Sequence, residues 1–182
     1  MLRWIFFIGG TGGILWLSRK SLPDPHSHGF YRFFAFESIL ALILINIPFW
    51  LTDPLSIHQI FSWILLLFSL FLVIDSIYLF KVIGRPSGRS EGSANLGFEN
   101  TTQLIRSGIY RYLRHPMYAS LLWLGWGAYL KHPSTIGIGL VLVATAALVL
   151  TAKKEERENL SRFGDEYADY MRATRRFIPF IF

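Results

Sequence analysis

The fold class is decided by residues 33–80, which read FFAFESILALILINIPFWLTDPLSIHQIFSWILLLFSLFLVIDSIYLF and contain neither Lys nor Arg. A helix needs about 20 mostly apolar residues to cross the hydrocarbon core of a bilayer. This run is too long for one such helix, and Pro48 and Pro54 interrupt it. We therefore predict two membrane helices here, at Phe33–Leu51 and Ile57–Phe80.

Three further apolar runs predict membrane helices at Trp4–Leu17, Met117–Leu130 and Ser134–Ala152. The first two are short, so they must tilt little or thin the bilayer. Only a few residues separate the last two helices, which therefore form an antiparallel hairpin. We predict an all-α integral membrane protein with about five transmembrane helices in a single membrane domain, residues 1–182. Its first three membrane helices occupy residues 1–80.

The rest of the chain, from Asn159 to Arg176, is amphipathic. Apolar residues recur at helical spacing, and charged residues lie between them. This pattern predicts a cytoplasmic C-terminal helix along the membrane surface. Gly164 interrupts the pattern and is expected to separate two short helices.

The composition excludes several classes of protein. The chain has 182 residues and no Cys, and only 16% of its residues are charged, against roughly 25% in soluble domains. A disordered chain, a disulfide-rich domain and a thiolate metal site are therefore excluded. His26, His28 and His58 lack metal-ligand spacing on a common helix, so they are predicted to be surface residues, and no metal is expected.

The distribution of basic residues predicts the topology. If the N-terminus lies outside, sixteen of the eighteen Lys and Arg residues fall on the cytoplasmic side, and only Arg3 and Lys131 do not. The positive-inside rule favours this orientation, with the C-terminus in the cytoplasm. We expect the inner or plasma membrane of a prokaryote. The basic charge then serves topology and contact with membrane lipids, and no nucleic-acid partner is expected.

Two stretches carry chemically active side chains. The first, residues 108–118, reads GIYRYLRHPMY and leads into the fourth helix; the second is the pair Glu155-Glu156 at the end of the fifth. The hairpin brings both to one membrane face. His115 lies at a helix N-terminus, which favours anionic groups, and Tyr118 points to the same side. Adjacent carboxylates point about 100° apart on a helix, so both can serve one pocket only at its wall.

The stretch GIYRYLRHPMY resembles the G-x-Y-x-x-x-R-H-P-x-Y signature of the isoprenylcysteine carboxyl methyltransferase and phospholipid methyltransferase superfamily. The tail, with its paired glutamates and the FGDEY sequence at residues 163–167, is similar to that family as well. The resemblance covers about Lys81 to Pro179 and makes residues 81–182 the cofactor-binding methyltransferase core. It implies S-adenosylmethionine as the cofactor, at the cytoplasmic face.

Carried over position by position, the resemblance assigns cofactor contacts to Gln103, Leu104, Ile105, Tyr110, His115, Pro116, Tyr118, Glu155 and Glu156. The candidate catalytic residues are Arg114 and Glu156, and Arg114, or another cytoplasmic Arg, can steer an anionic acceptor. The implied partner is a lipophilic small molecule or a lipid with a carboxylate, amine or thiol to be methylated.

Several alternatives stay open at this level. His115-Pro116 can be a plain helix cap, Glu155-Glu156 a solvated helix end, and Tyr110 an interfacial anchor. Glu37 and Asp75 lie within apolar helices, where an ionisable side chain either serves a substrate or lies near a helix end. The alternative function is a non-catalytic membrane protein of the same fold that binds a hydrophobic ligand.

Overall fold

The structure is a computed structural model that describes residues 2–84 and 104–181. Six α-helices make up most of it: α1 (Leu2–Ser18), α2 (His28–Asn46), α3 (Ile57–Val82), α4 (Pro116–Leu130), α5 (Thr135–Phe163) and α6 (Asp165–Ala173). Two short 3₁₀ turns lie at Ile47–Phe49 and Gly108–Arg111. Neither described range contains a β-strand, apart from one isolated parallel bridge between Leu113 and Arg175. The prediction of an all-α fold is confirmed.

Three helical segments are long and apolar enough to cross a membrane: His28–Phe49, Ile57–Val82 and Thr135–Phe163. The predicted first and fourth membrane helices exist as α1 and α4, but with 17 and 15 residues they are shorter than a full span. The total of five transmembrane helices and their orientation therefore remain predictions.

Two predicted helix boundaries were wrong. α2 begins at His28 rather than Phe33, and the side chain of Ser27 caps it by accepting a hydrogen bond from the Phe30 amide. The prediction placed Arg32 in the loop before the helix, whereas Arg32 is buried inside the helix. α5 continues past Ala152 to Phe163, so the polar stretch that follows the apolar run belongs to the same helix.

α2 and α4 link the bundle. α3 packs mainly against α4, α2 packs mainly against α5 and also against α4, and α1 packs against α2. The predicted antiparallel hairpin of α4 and α5 is confirmed, since the end of α5 contacts the residues just before α4. The expected break at Gly164 is present, with φ +56°, but the helix before it is the 29-residue α5 and not a separate short helix.

The helices expose apolar side chains and bury polar ones. Ser62, Ser69 and Ser76 lie at intervals of seven on the buried face of α3, and the first two donate hydrogen bonds of 2.7 Å to α4 backbone carbonyls. The outer face of α3 exposes large apolar residues such as Leu67 and Ile74. Small residues and hydroxyls at helix interfaces with an apolar exterior are typical of packing in lipid.

Lys131 is buried at the end of α4, in the turn that leads to α5. This side chain is 1% exposed, its Nζ donates a 2.9 Å hydrogen bond to Gln59 Oε1, and it lies 3.4 Å from the ring centroid of Trp63. A buried cation needs such partners, because desolvation is otherwise costly. Lys131 therefore stabilises the turn between α4 and α5.

Glu37 is an ionisable residue within an apolar helix, and its partner lies in a neighbouring helix. Glu37 of α2 accepts a 2.9 Å hydrogen bond from the Thr11 hydroxyl of α1. This contact gives Glu37 a structural role in joining α1 to α2.

Candidate functional site

A cavity of about 260 Å³ lies where α4 begins and α5 ends. Its walls come from the end of α3, the segment before α4, the end of α5 and α6. The lining residues are Phe80, Leu104, Ile105, Tyr110, Arg114, His115, Met117, Tyr118, Glu155, Glu158, Asn159, Arg162, Phe163, Tyr167 and Tyr170. Both chemically active stretches of the sequence thus contribute to one cavity.

The glycine of the first stretch allows a tight approach to α3. Gly108 has φ +58°, and a Cβ there would lie 2.6 Å from Leu79 Cδ1. The carboxylate of Asp75 accepts a hydrogen bond of 3.4 Å from the Ile109 amide at the start of the 3₁₀ turn. Asp75 therefore positions the turn that carries Tyr110, which explains an ionisable residue near the end of α3.

His115 and Tyr118 lie together on the cavity wall, as their spacing predicts. Their rings are stacked, with centroids 5.6 Å apart and an interplanar angle of 18°. His115 is 5% exposed, and its Nε2 faces the carboxylate of Glu156. Pro116 is buried at the first position of α4 and starts the helix, but it does not line the cavity.

The two adjacent glutamates point in different directions. Glu155 lines the cavity and accepts a hydrogen bond from the Tyr118 hydroxyl. Glu156 is buried behind the wall and does not line the cavity. The roughly 100° between neighbouring helix positions produces this division. Of the two carboxylates, the structure places only Glu155 where a ligand in the cavity can reach it.

Glu156 is the centre of an ionic cluster with Arg114, His115 and Arg176, called the Glu156 cluster below. Its Oε1 accepts hydrogen bonds from Arg114 Nε at 2.9 Å and Arg176 Nε at 3.1 Å, and its Oε2 accepts one from Arg176 Nη2 at 2.7 Å. His115 Nε2 lies 3.4 Å from Oε1. Two guanidinium groups thus compensate one buried carboxylate.

The same cluster fastens the C-terminal segment beside the first stretch. The Arg175 amide donates to the Tyr112 carbonyl at 2.9 Å, and the Arg114 amide donates to the Arg175 carbonyl at 2.7 Å. Next to them, Phe177 is 1% exposed. Backbone pairing and ionic contacts therefore hold residues 175–177 against the cavity wall.

Arg114 has a second set of partners in the C-terminal segment. Its Nη1 donates to the Met171 carbonyl at 3.0 Å and also to the Thr174 carbonyl. Its side chain is 9% exposed, yet it still contributes to the cavity lining. Through its Nε and Nη1 groups, Arg114 thus joins the cavity wall to α5 and to the C-terminal segment.

Tyr167 and Tyr170 bring α6 to the cavity. The Tyr170 hydroxyl donates to the Tyr110 carbonyl at 2.7 Å and the Leu113 carbonyl at 3.3 Å. Burial raises the pKa of both Tyr167 and Tyr170. Both phenols are therefore neutral near pH 7 and can act as hydrogen-bond donors.

The sequence analysis missed one contact between the two halves of the chain. His28, predicted to be a surface residue, is 1% exposed, and its Nδ1 lies 2.7 Å from Oε2 of Glu158, which lines the cavity. The prediction was wrong because the start of α2 packs against the end of α5. No local pattern around His28 signals a partner 130 positions away.

Three predicted cofactor contacts remain, at residues 103–105. Leu104 and Ile105 line the cavity, whereas Gln103 lies outside the described residues. Within residues 2–84 and 104–181, no group of three or more His, Asp or Glu side chains is arranged to hold a metal ion.

A family model described as phospholipid methyltransferase matches residues 57–166. This range contains α3, α4, α5 and the segment that leads into α4, and it ends within α6. No curated protein matches the chain.

Proposed function

Because the chain belongs to the phospholipid methyltransferase family, we propose that it transfers a methyl group from S-adenosylmethionine to a lipophilic or amphiphilic acceptor. The acceptor class is a lipid amine, a prenylcysteine-type carboxylate or a thiol. The reaction takes place at the cytoplasmic face of the membrane. The family membership supports methyl transfer, and the cavity supports the choice of cofactor and place.

The observation that carries the proposal is the convergence of two distant stretches on one cavity. His115 and Tyr118 at the start of α4 share its wall with Glu155 near the end of α5. The two stretches meet although about 40 residues of hairpin separate them. A plain helix cap or a solvated helix end gives no reason for both to face one concave space, which is the usual setting of a small-molecule site.

The lining residues fit the chemical groups of the proposed cofactor. Glu155 and Glu158 suit an ammonium group or ribose hydroxyls, and Arg162 suits a carboxylate. His115 lines the cavity at the N-terminus of α4, where an imidazole suits a carboxylate or a ribose oxygen. Tyrosine and phenylalanine rings supply faces for adenine and for a positively charged sulfur.

S-adenosylmethionine supplies an electrophilic methyl group on a positively charged sulfur when it is bound. The protein then has to bind and orient the two reactants and to exclude water, and it needs no covalent nucleophile. The buried tyrosines and the Glu156 cluster hold the wall rigid for this purpose. A carboxylate acceptor needs no general base, whereas a protonated amine or a thiol does.

The position of the cavity supports access from the membrane face. α5 has an apolar length of about 27 Å from Thr135 to Ala152 at 1.5 Å per residue, close to the thickness of the hydrocarbon core. Glu155 follows one turn later and therefore lies near the edge of the apolar layer. Phe80, Met117 and Phe163 provide apolar lining for a lipophilic acceptor.

Calorimetry on the detergent-purified protein tests the proposal. S-adenosylmethionine and S-adenosylhomocysteine should both bind saturably. Glu155→Gln should weaken binding roughly 10- to 100-fold, because one charge-assisted hydrogen bond is worth about 1.5–3 kcal/mol. Asp169→Asn, at an exposed carboxylate of α6 outside the cavity, is the matched control and should leave binding unchanged.

Two results would count against this function. If neither compound binds to the folded protein, the proposed methyltransferase function is contradicted. Binding without transfer of a labelled methyl group to any lipid, thiol or prenylcysteine acceptor favours the non-catalytic ligand-binding alternative.

A further inference from the structure

A second cavity, of about 220 Å³, lies beside the C-terminal segment. It is called the arginine groove here, and its lining residues are Arg111, Tyr112, Arg172, Ala173, Arg175 and Phe180. None of these residues lines the first cavity. Three guanidinium groups thus meet at one concave surface.

Within residues 2–84 and 104–181, only one of the three guanidinium groups of the groove has a carboxylate partner. Arg172 lies 3.3 Å from the exposed carboxylate of Asp169, which is on the same helix, α6. Arg111 and Arg175 make no ion pair with any carboxylate in the described segments. In contrast, Arg114 and Arg176 share the carboxylate of Glu156. A concave site with uncompensated guanidinium groups is suited to an anion with several oxygens, such as a phosphate.

The rim of the groove is apolar and exposed. Phe180 is 82% exposed and the neighbouring Ile181 77% exposed, while the rings of Phe180 and Tyr112 lie 6.0 Å apart. A basic site next to exposed aromatic and aliphatic side chains matches an interfacial surface, where cations contact headgroups and apolar residues contact acyl chains. A free phosphate ion would use only the first half of this surface.

We propose that the arginine groove binds the phosphate headgroup of an anionic phospholipid. Arg111 and Arg175 contact the phosphate oxygens, and Phe180 with Ile181 contacts the adjoining acyl region. The three helical segments long enough to cross a membrane keep the chain in contact with such lipids. The proposal concerns binding only and does not depend on methyl transfer.

The groove is connected to the Glu156 cluster through the same stretch of backbone. The Arg175 amide bonds to the Tyr112 carbonyl, and the next residue, Arg176, bonds to Glu156 through its side chain. A lipid that joins Arg111 to Arg175 therefore reinforces the backbone pairing beside the first cavity. Bound anionic lipid should slow hydrogen exchange at the Arg175 amide.

Native mass spectrometry of the detergent-purified full chain tests the assignment. Dioleoylphosphatidylglycerol is the anionic probe and dioleoylphosphatidylcholine the zwitterionic comparison. We expect one phosphatidylglycerol to bind with at least about tenfold preference. The double variant Arg111→Gln/Arg175→Gln should bind it about 30-fold more weakly, at about 1 kcal/mol for each basic residue.

A matched double variant controls for the change in net charge. Lys153→Gln/Arg157→Gln removes the same charge from exposed positions on α5 outside both cavities, and it should retain tight binding. Equal binding of the two lipids by the wild-type chain overturns the proposal. Equal loss in both double variants also overturns it. Displacement of the lipid by about 10 mM inorganic phosphate overturns the assignment to a lipid.

Discussion

The two adjacent glutamates of α5 make a sharp internal comparison. Glu156→Gln removes the charge that compensates Arg114 and Arg176, whose side chains are 9% and 16% exposed. Removing one partner of a buried ion pair costs about 3–5 kcal/mol. Because Gln retains one carbonyl acceptor and Arg176 is partly solvated, we take the lower end, about 3 kcal/mol.

This cost converts to a measurable change in thermal stability. A chain of this size loses about 2–4 °C in Tm for each kcal/mol, so Glu156→Gln should lower Tm by about 6–12 °C. Glu155→Gln changes the same residue type one position earlier and should lower Tm by less than about 3 °C, because Glu155 faces the cavity. The six Trp residues provide an intrinsic fluorescence signal for the measurement in detergent.

Two further measurements localise the effect. Hydrogen exchange at residues 175–177 should rise in Glu156→Gln and stay unchanged in Glu155→Gln. In a double-mutant cycle with Arg176→Gln, the two changes should couple by about 1–3 kcal/mol. Equal Tm losses in the two single variants, or a larger loss in Glu155→Gln, would refute the division of roles between the two carboxylates.

The remaining predictions concern packing and the attachment of α6. Gly127→Ala should destabilise the fold by about 1–3 kcal/mol, because its methyl group would lie 2.9 Å from a leucine side chain of α3, whereas Gly139→Ala, with open space around it, should be neutral or slightly stabilising. Thermal unfolding of the pair measures this difference, and equal Tm values would contradict it. Tyr170→Phe removes the hydroxyl that donates to the Tyr110 and Leu113 carbonyls, so it should cost about 1–2 kcal/mol and speed hydrogen exchange in α6. Unchanged exchange there would show that this hydroxyl does not hold α6.

Much of the fold could be predicted from the sequence, because local composition specifies membrane helices. Apolar runs located α3 and α4 almost to the residue, and the short turn after Leu130 fixed the hairpin. The start of α2 was misplaced because a Lys/Arg-free run was taken as the limit of the helix. Arg32 lies inside α2 and is buried by residues from other parts of the chain, and no local pattern records those contacts.

The candidate site, too, was only partly predicted from the sequence. Spacing placed His115 beside Tyr118 and brought both toward Glu155, because hairpin geometry follows from helix length and a short turn. The family resemblance assigned Glu156 to the cofactor as well. The structure instead directs that carboxylate to Arg114 and Arg176, which follow from how the C-terminal segment folds back.

The sequence by itself determined an all-helical chain with apolar spans, a hairpin and two chemically active stretches at one end. These features follow from hydrophobic runs and helical periodicity, which act over a few turns. Only the tertiary structure decided that Glu156 and Arg176 fasten the C-terminal segment, that His28 meets Glu158, and that three arginines share a groove. Those contacts join residues from distant parts of the chain, so their geometry depends on the packing of whole helices.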